Sequence, residues 1–161
     1  IHGEDSSVTR SRLGSFYHTL QKKRIDVSDE YMPVIPYRDA EAAAMATAEL
    51  LDLKDPPTCI LYPDDFAALG GINELHERGL RIPDDISIAG YDGLTFARIL
   101  EPRLTTLCQD TEAIDRLAAQ KLIDLIEHPK TTIIDKFTVD GQLFPGASVR
   151  DLRKQESKER I

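Results

Sequence analysis

Apolar positions along the chain switch repeatedly between a helical period and short unbroken runs. Leu13, Phe16, Tyr17 and Leu20 recur at helical spacing behind the capping candidates Ser6 and Ser7, which predicts a first helix from about Val8 to Lys23. "YMPVIPY" supplies a short strand, and Asp39 is placed to cap an Ala-rich helix ending near Leu53. Asp55-Pro56-Pro57 then forces a turn before the strand "TCILY". Asp64 and Asp65 open a third helix that Gly79 closes. "RIPDD" reads as a turn, "ISIAGY" as a strand, Leu94 to Leu100 as a short helical stretch and "LTTL" as a brief strand.

A fourth helix, "TEAIDRLAAQKLIDLIEH", carries Ile114, Leu117, Ala118, Leu122, Leu125 and Ile126 on one side and stops at Pro129. Two β-rich segments follow, "TTIIDKFTV" and "QLFPGASV", and residues 150–161 hold too few apolar side chains to pack, so a solvated tail is expected. Strand and helix alternate to about residue 107, which implies right-handed βαβ units and an α/β fold with a parallel sheet. The run Ile86-Ser87-Ile88-Ala89-Gly90 is nearly continuous in small and apolar residues, as in a strand covered on both faces, yet it ends in Tyr91-Asp92-Gly93. Ligands of such sheets collect beyond the carboxyl ends of the strands, where Asp92 would stand.

Composition narrows the function classes. The formal net charge of −8 and pI near 5.0 argue against nucleic-acid binding by this stretch itself, since phosphate contacts need clustered Lys and Arg. No apolar run approaches the roughly 20 residues that span a bilayer, and the chain reads as cytoplasmic, with no membrane partner. It opens "IHGED" without Met and is expected to be a fragment. Cys59 and Cys108 lack metal spacing and read as buried, reduced thiols. The four histidines are scattered, and no phosphate loop or nucleophile motif is present, so neither metal nor cofactor is expected. "LGGI" suits close helix packing, and Asp84-Asp85 suits turn chemistry.

The pair Asp64-Asp65 admits two readings: carboxylates that join Asp92 to bind a cation or share a proton, or a helix cap in which one of the two is consumed. A phosphoacceptor receiver would place such a pair after its first strand and a lysine after its last, unlike this chain. An enzyme using Asp92 as acid or base would lack a second catalytic group.

"SSVTRSRLGSF", "YPDDFAALGGINELHERGLRIPDDISIAGYDG" and "PRLTTLCQD" occur in that order. Together they resemble the sensor domain of the lactose/galactose-repressor family of bacterial transcription regulators, from Gly3 to Val149. The resemblance implies a periplasmic-binding-protein-like type I fold, a parallel sheet with helices on both faces, in which two lobes close on a small sugar-like effector. Residues 1–107 would then be most of the C-terminal lobe, 108–138 a crossover helix and strand belonging to the N-terminal lobe, and 139–149 a return strand. A homodimer would form through Phe66, Leu69, Phe96, Ile99 and Leu100, and operator DNA would be met by a helix-turn-helix outside this chain. A transport solute-binding protein is the other reading of the same fold.

By position the resemblance assigns effector contacts to Ser6, Arg12, Asp64, Asp92 and Gln109. Asp92 would accept vicinal hydroxyls, and the Gln109 amide can donate and accept. Asp64 stands where the family often has Asn. Arg38 stands where it commonly stacks an aromatic, and a guanidinium fits carboxylate or phosphate oxygens better than a bare sugar face. Two readings of Arg38 follow: with Arg12 it selects an acidic sugar, a sugar phosphate or a polyol bearing one anionic group, or it points to solvent and pairs with an acidic neighbour such as Glu41.

Overall fold

The computed structural model describes residues 1–131 and 135–152. Its elements follow the predicted order: β1 (His2–Gly3), α1 (Ser7–Lys23), β2 (Val34–Ile35), α2 (Ala40–Leu51), β3 (Cys59–Leu61), α3 (Asp65–Glu77), β4 (Ser87–Asp92), β5 (Thr105–Cys108), α4 (Thr111–Glu127) and β6 (Gln142–Phe144). The stretch near Leu94 to Leu100 is a 3-10 turn over Thr95–Arg98. Strands β1 and β2 pair in parallel; β3, β4 and β5 form a second parallel sheet, which β6 joins antiparallel. The Ile1 amino nitrogen donates to the Leu61 carbonyl at 3.3 Å and brings the two sheets side by side.

Capping explains where the helices begin. Ser6, Asp39, Asp64 and Asp110 each accept from the backbone N–H three residues on, so every one of the four helices starts behind an oxygen that satisfies an otherwise orphaned donor. Helix α3 ends with Gly79 at φ +72°, and the Leu80 N–H returns to the Leu75 carbonyl.

The core sits where α2 packs on α3 and β2 and where α3 packs on β4, around Ala43, Leu50, Ile60, Ala67, Leu75 and Ile88. Close approach of the helices requires "LGGI". A Cβ on Gly70 would overlap the Ala40 carbonyl, and one on Gly71 would overlap the Tyr62 hydroxyl. That hydroxyl is itself buried and lies 2.8 Å from Thr47 Oγ1, tying β3 to α2.

Four expectations need correction. Cys59 is exposed, because alternate residues of β3 turn away from the core: Ile60 is buried, while Cys59 and Leu61 face outward. "QLFPGASV" is a strand only over Gln142–Phe144. Pro145 has no N–H for the ladder, and the chain turns as the Gly146 N–H bonds back to the Phe144 carbonyl. It regains the sheet at Ser148, whose Oγ donates to the Ile88 carbonyl (2.7 Å) and accepts the Thr105 N–H (2.8 Å). Within "TTIIDKFTV", residues 132–134 lie outside the described residues and 135–139 form no strand. Arg150 is anchored rather than frayed, its N–H on Ser87 Oγ and its guanidinium on the Asp84 carbonyl; residues 153–161 of the expected tail lie outside the described residues.

Helix α4 has the predicted amphipathic pattern but no buried residue, and Leu122 and Ile126 are exposed. Among the described residues, 135–139 run along it, with the Lys121 ammonium 5.0 Å from the Phe137 ring centroid. Among the described residues no helix is long and apolar enough to cross a membrane.

Two glycines give opposite outcomes. Gly70→Ala forces α3 off the Ala40 carbonyl and should cost about 1–3 kcal/mol or more. Gly14, with nothing near its Cβ direction on the exposed side of α1, should gain up to about 1 kcal/mol as Ala. Urea denaturation of both variants checks the pair; equal effects would contradict the packing described.

Candidate effector-binding site

The carboxyl ends of β3, β4 and β5 lie together, and their loops carry most of the polar side chains singled out from the sequence. The register pairs Asp92 with Cys108, which puts Gln109 directly beyond Asp92 across the sheet. The Gln109 N–H donates to the Asp92 carbonyl at 3.3 Å, and its Nε2 donates to Asp92 Oδ1 at 2.6 Å. Oδ2 of Asp92 has no hydrogen-bond partner among the described residues. Asp92 also has φ +112°, a conformation that costs a non-glycine residue and that persists only where its surroundings impose it. Burial raises its carboxyl above the ordinary Asp value; the Gln109 bond opposes this, the Asp64 charge adds to it, and the charges of Arg12 and Arg38 oppose it.

Arg12 projects from the second turn of α1. Its guanidinium stacks on the Tyr91 ring, 3.6 Å from Cζ to the centroid, lies 5.9 Å from the Tyr37 centroid, and donates to the Pro63 carbonyl at 2.9 Å. The aromatic face and the carbonyl hold the cation over the end of β4. Ser6 is spent on the backbone: its Oγ accepts the Thr9 N–H and meets Thr9 Oγ1, both at 3.0 Å. Thr9 is buried, donates to the Glu4 carbonyl and contacts the Tyr37 hydroxyl at 2.9 Å.

Asp64 and Asp65 are both structural. Asp64, 2% exposed, accepts the Ala67 N–H through Oδ1 and the Arg38 N–H through Oδ2, each at 2.8 Å. It therefore caps α3 and holds the loop that presents Arg38, and it offers no oxygen to a ligand. Asp65, the partner that capping would have left free, is completely buried. Its Oδ1 accepts from Thr106 Oγ1 and its Oδ2 accepts the Leu94 N–H, both at 2.7 Å. Gly90 makes room for it, since a Cβ there would overlap Asp65 Oδ1. Burial pushes the Asp65 carboxyl up, against the bonds from Thr106 and Leu94.

Arg38 is exposed at φ +60°, and its guanidinium makes neither a hydrogen bond nor an ion pair among the described residues; the pairing with Glu41 does not form. The structure thus gathers Arg12, Arg38, Asp92 and Gln109 and withdraws Ser6 and Asp64 into the scaffold. Sequence reasoning passed over Tyr37 and Tyr91, the rings under Arg12. Tyr91 adjoins Asp92 at a strand end, a position that marks it as site-facing. Nothing local marks Tyr37, which meets Arg12 only through the fold.

The chain belongs to the periplasmic binding protein-like domain family, which matches residues 1–149. It is 37% identical over 152 residues to the protein named "Probable HTH-type transcriptional repressor ExuR" of Bacillus subtilis (strain 168), covering 94% of this chain and 44% of that one. Its fold matches the transcriptional regulator CelR in complex with cellobiose at a TM-score of 0.81 and 25% identity, over 92% of this chain and 45% of that one. It also matches a LacI family transcriptional regulator from Enterococcus faecium with bound ribose at a TM-score of 0.76 and 26% identity, over 87% and 51%. The chain therefore spans about half the length of these relatives, all of them transcriptional regulators.

Asp65 makes the scaffold testable. Asp65→Ala strands the Thr106 hydroxyl and the Leu94 N–H, and should cost about 2–4 kcal/mol in urea denaturation. Because burial raises the folded-state pKa, the native chain holds the Asp65 proton more tightly than the unfolded chain does. Wild-type stability measured against Asp65→Asn should therefore rise as pH falls from 7.5 through that raised value, and level off below the ordinary carboxylate value of about 3.9. A difference that stays flat with pH would refute the assignment.

Proposed function

We propose that this chain is the C-terminal part of the effector-sensing domain of a DNA-binding transcription regulator, and that its strand-end cluster binds a small sugar-like molecule between two lobes. The observation that carries this reading is the convergence of Arg12, Asp92 and Gln109 at the carboxyl ends of β3 to β5, with Asp92 Oδ2 unpartnered. A strand-end carboxylate accepts sugar hydroxyls through charge-assisted bonds, the neighbouring amide donates and accepts, and the Tyr91-backed guanidinium fixes orientation. Relatives of this chain are repressors, and regulators of the same fold hold ribose or cellobiose.

Residues 1–107 and 139–149 are read as one lobe. The segment 108–138 crosses into a second lobe, and the uncovered apolar face of α4 supports this, since a helix of that pattern is stable when another layer covers it. The effector acts by binding one arrangement of the lobes better than the other, which shifts DNA affinity by at most that affinity ratio. Operator DNA is contacted outside this acidic chain.

Homodimerisation uses an apolar patch beside the site. Phe66 and Phe96 meet edge to face at 5.3 Å, Phe66 is 40% exposed and Ile99 79% exposed; Leu69 and Leu100 are half-buried, Leu100 against the core. A two-fold axis would set this patch against itself.

Two outcomes check the reading. In the full-length protein Asp92→Asn should weaken whichever sugar the wild type binds by about 10- to 150-fold, the range for a hydrogen bond to a charged group, as measured by calorimetry. Phe66→Asp combined with Ile99→Asp should turn a dimer into a monomer in sedimentation equilibrium; a dimer of unchanged affinity would rule out this face.

A further inference from the structure

Resting on the reading of the cluster as a sugar site, we propose that its ligand carries an anionic group, held by Arg38 with Arg12 at its side, while Asp92 and Gln109 take the hydroxyls. The argument is one of charge left over once the scaffold is satisfied. Two arginines and two carboxylates converge here, but the carboxylates are unequal. Asp64 is buried, with both oxygens filled by the Ala67 and Arg38 N–H groups at the positive end of α3. It neutralises backbone donors and cannot pair with either guanidinium. Asp39, next to Arg38, caps α2 through Oδ1, which accepts the Ala42 N–H at 2.9 Å, and makes no ion pair with Arg38 among the described residues. Over the strand ends stand two cations, Arg12 and Arg38, and one carboxylate, Asp92.

The two cations also differ. Arg12 has one face on Tyr91 and one N–H on the Pro63 carbonyl. Arg38 has all its guanidinium donors free among the described residues. Its mobility is limited at the root: the N–H bond to Asp64 Oδ2 pins the backbone, and φ +60° is a left-handed conformation that Asn or Gly would adopt more readily. Among the described residues, apart from Arg24, which caps α1, the non-glycine residues at positive φ are Arg38 and Asp92, both in this cluster. Backbone held this way and topped by an unpaired fork suits bidentate capture of a carboxylate or phosphate. A neutral sugar would leave that fork unused.

The test uses the full-length protein and matched probes: D-glucose, D-galactose and D-ribose, each beside its sugar acid and its terminal phosphate ester, screened by thermal shift and titrated by calorimetry. We expect at least one anionic probe to bind 10-fold or more tightly than its neutral parent. Arg38→Ala should erase that preference, with the anion losing about 10- to 150-fold, and Arg38→Lys should retain part of it. Arg38→Asn, which tolerates the left-handed backbone, must behave as Arg38→Ala does, so that lost folding is not mistaken for lost binding. Preference for the acid over the phosphate, or the reverse, tells the two anion sources apart. Neutral sugars binding as well as their anions, with sensitivity to Asp92→Asn but no change of preference in Arg38→Ala, would overturn the anion proposal and keep the sugar site. Absence of binding by every probe would overturn both.

Discussion

Two adjacent carboxylates at the start of α3 hold the working end of this molecule together. Asp64 reaches toward the loop before α2 and fixes the Arg38 N–H, while Asp65 reaches the other way to Thr106 on β5 and to the Leu94 N–H after β4. Both are buried, so each bond is made in a low-dielectric setting where leaving it unmade is costly. Three segments distant in sequence are thereby set in register around one helix terminus. Phe66, the next residue, carries the exposed apolar patch with Phe96. Any shift of α3 therefore moves the Arg38 loop, the Asp92–Leu94 turn and that patch together.

This arrangement needs α3 to lie very close to its neighbours, which the small residues permit. Gly70 and Gly71 let the α3 axis approach the first turn of α2 and the Tyr62 hydroxyl, and Gly90 admits the Asp65 carboxylate to the sheet. Larger residues would keep the helix away and leave a buried carboxylate without partners, so close packing here is a condition for polar satisfaction as much as for apolar burial.

The site divides its polar groups between scaffold and ligand by exposure. Groups whose oxygens meet backbone N–H donors, Ser6, Asp39 and Asp64, set the geometry of the loops. Groups beyond them, Arg12, Arg38, Asp92 and Gln109, stand over the strand ends with donors and acceptors still open. Asp92 sits at the boundary, half committed to Gln109 and half free.

Local pattern determined a good deal. Hydrophobic period, caps and turn residues predicted the helices and strands in order, because an N-cap oxygen, a Pro and a strand run act over a few residues. The parallel sheet and the placing of Asp92 at a strand end followed from the alternation of strand and helix. Only the tertiary structure decided which charges are spent. Asp64 and Asp65 are neighbours of identical chemistry, and their partners lie at residues 38, 94 and 106, so no local signal says that both are consumed. The same holds for Arg12, whose Tyr37 and Tyr91 rings come from different strand ends, for Arg38, whose free fork depends on Asp64 being occupied, and for Cys59, whose exposure depends on which face of β3 the helices cover. Propensity is local, whereas polar satisfaction is settled by whichever groups the packed chain brings within hydrogen-bond reach.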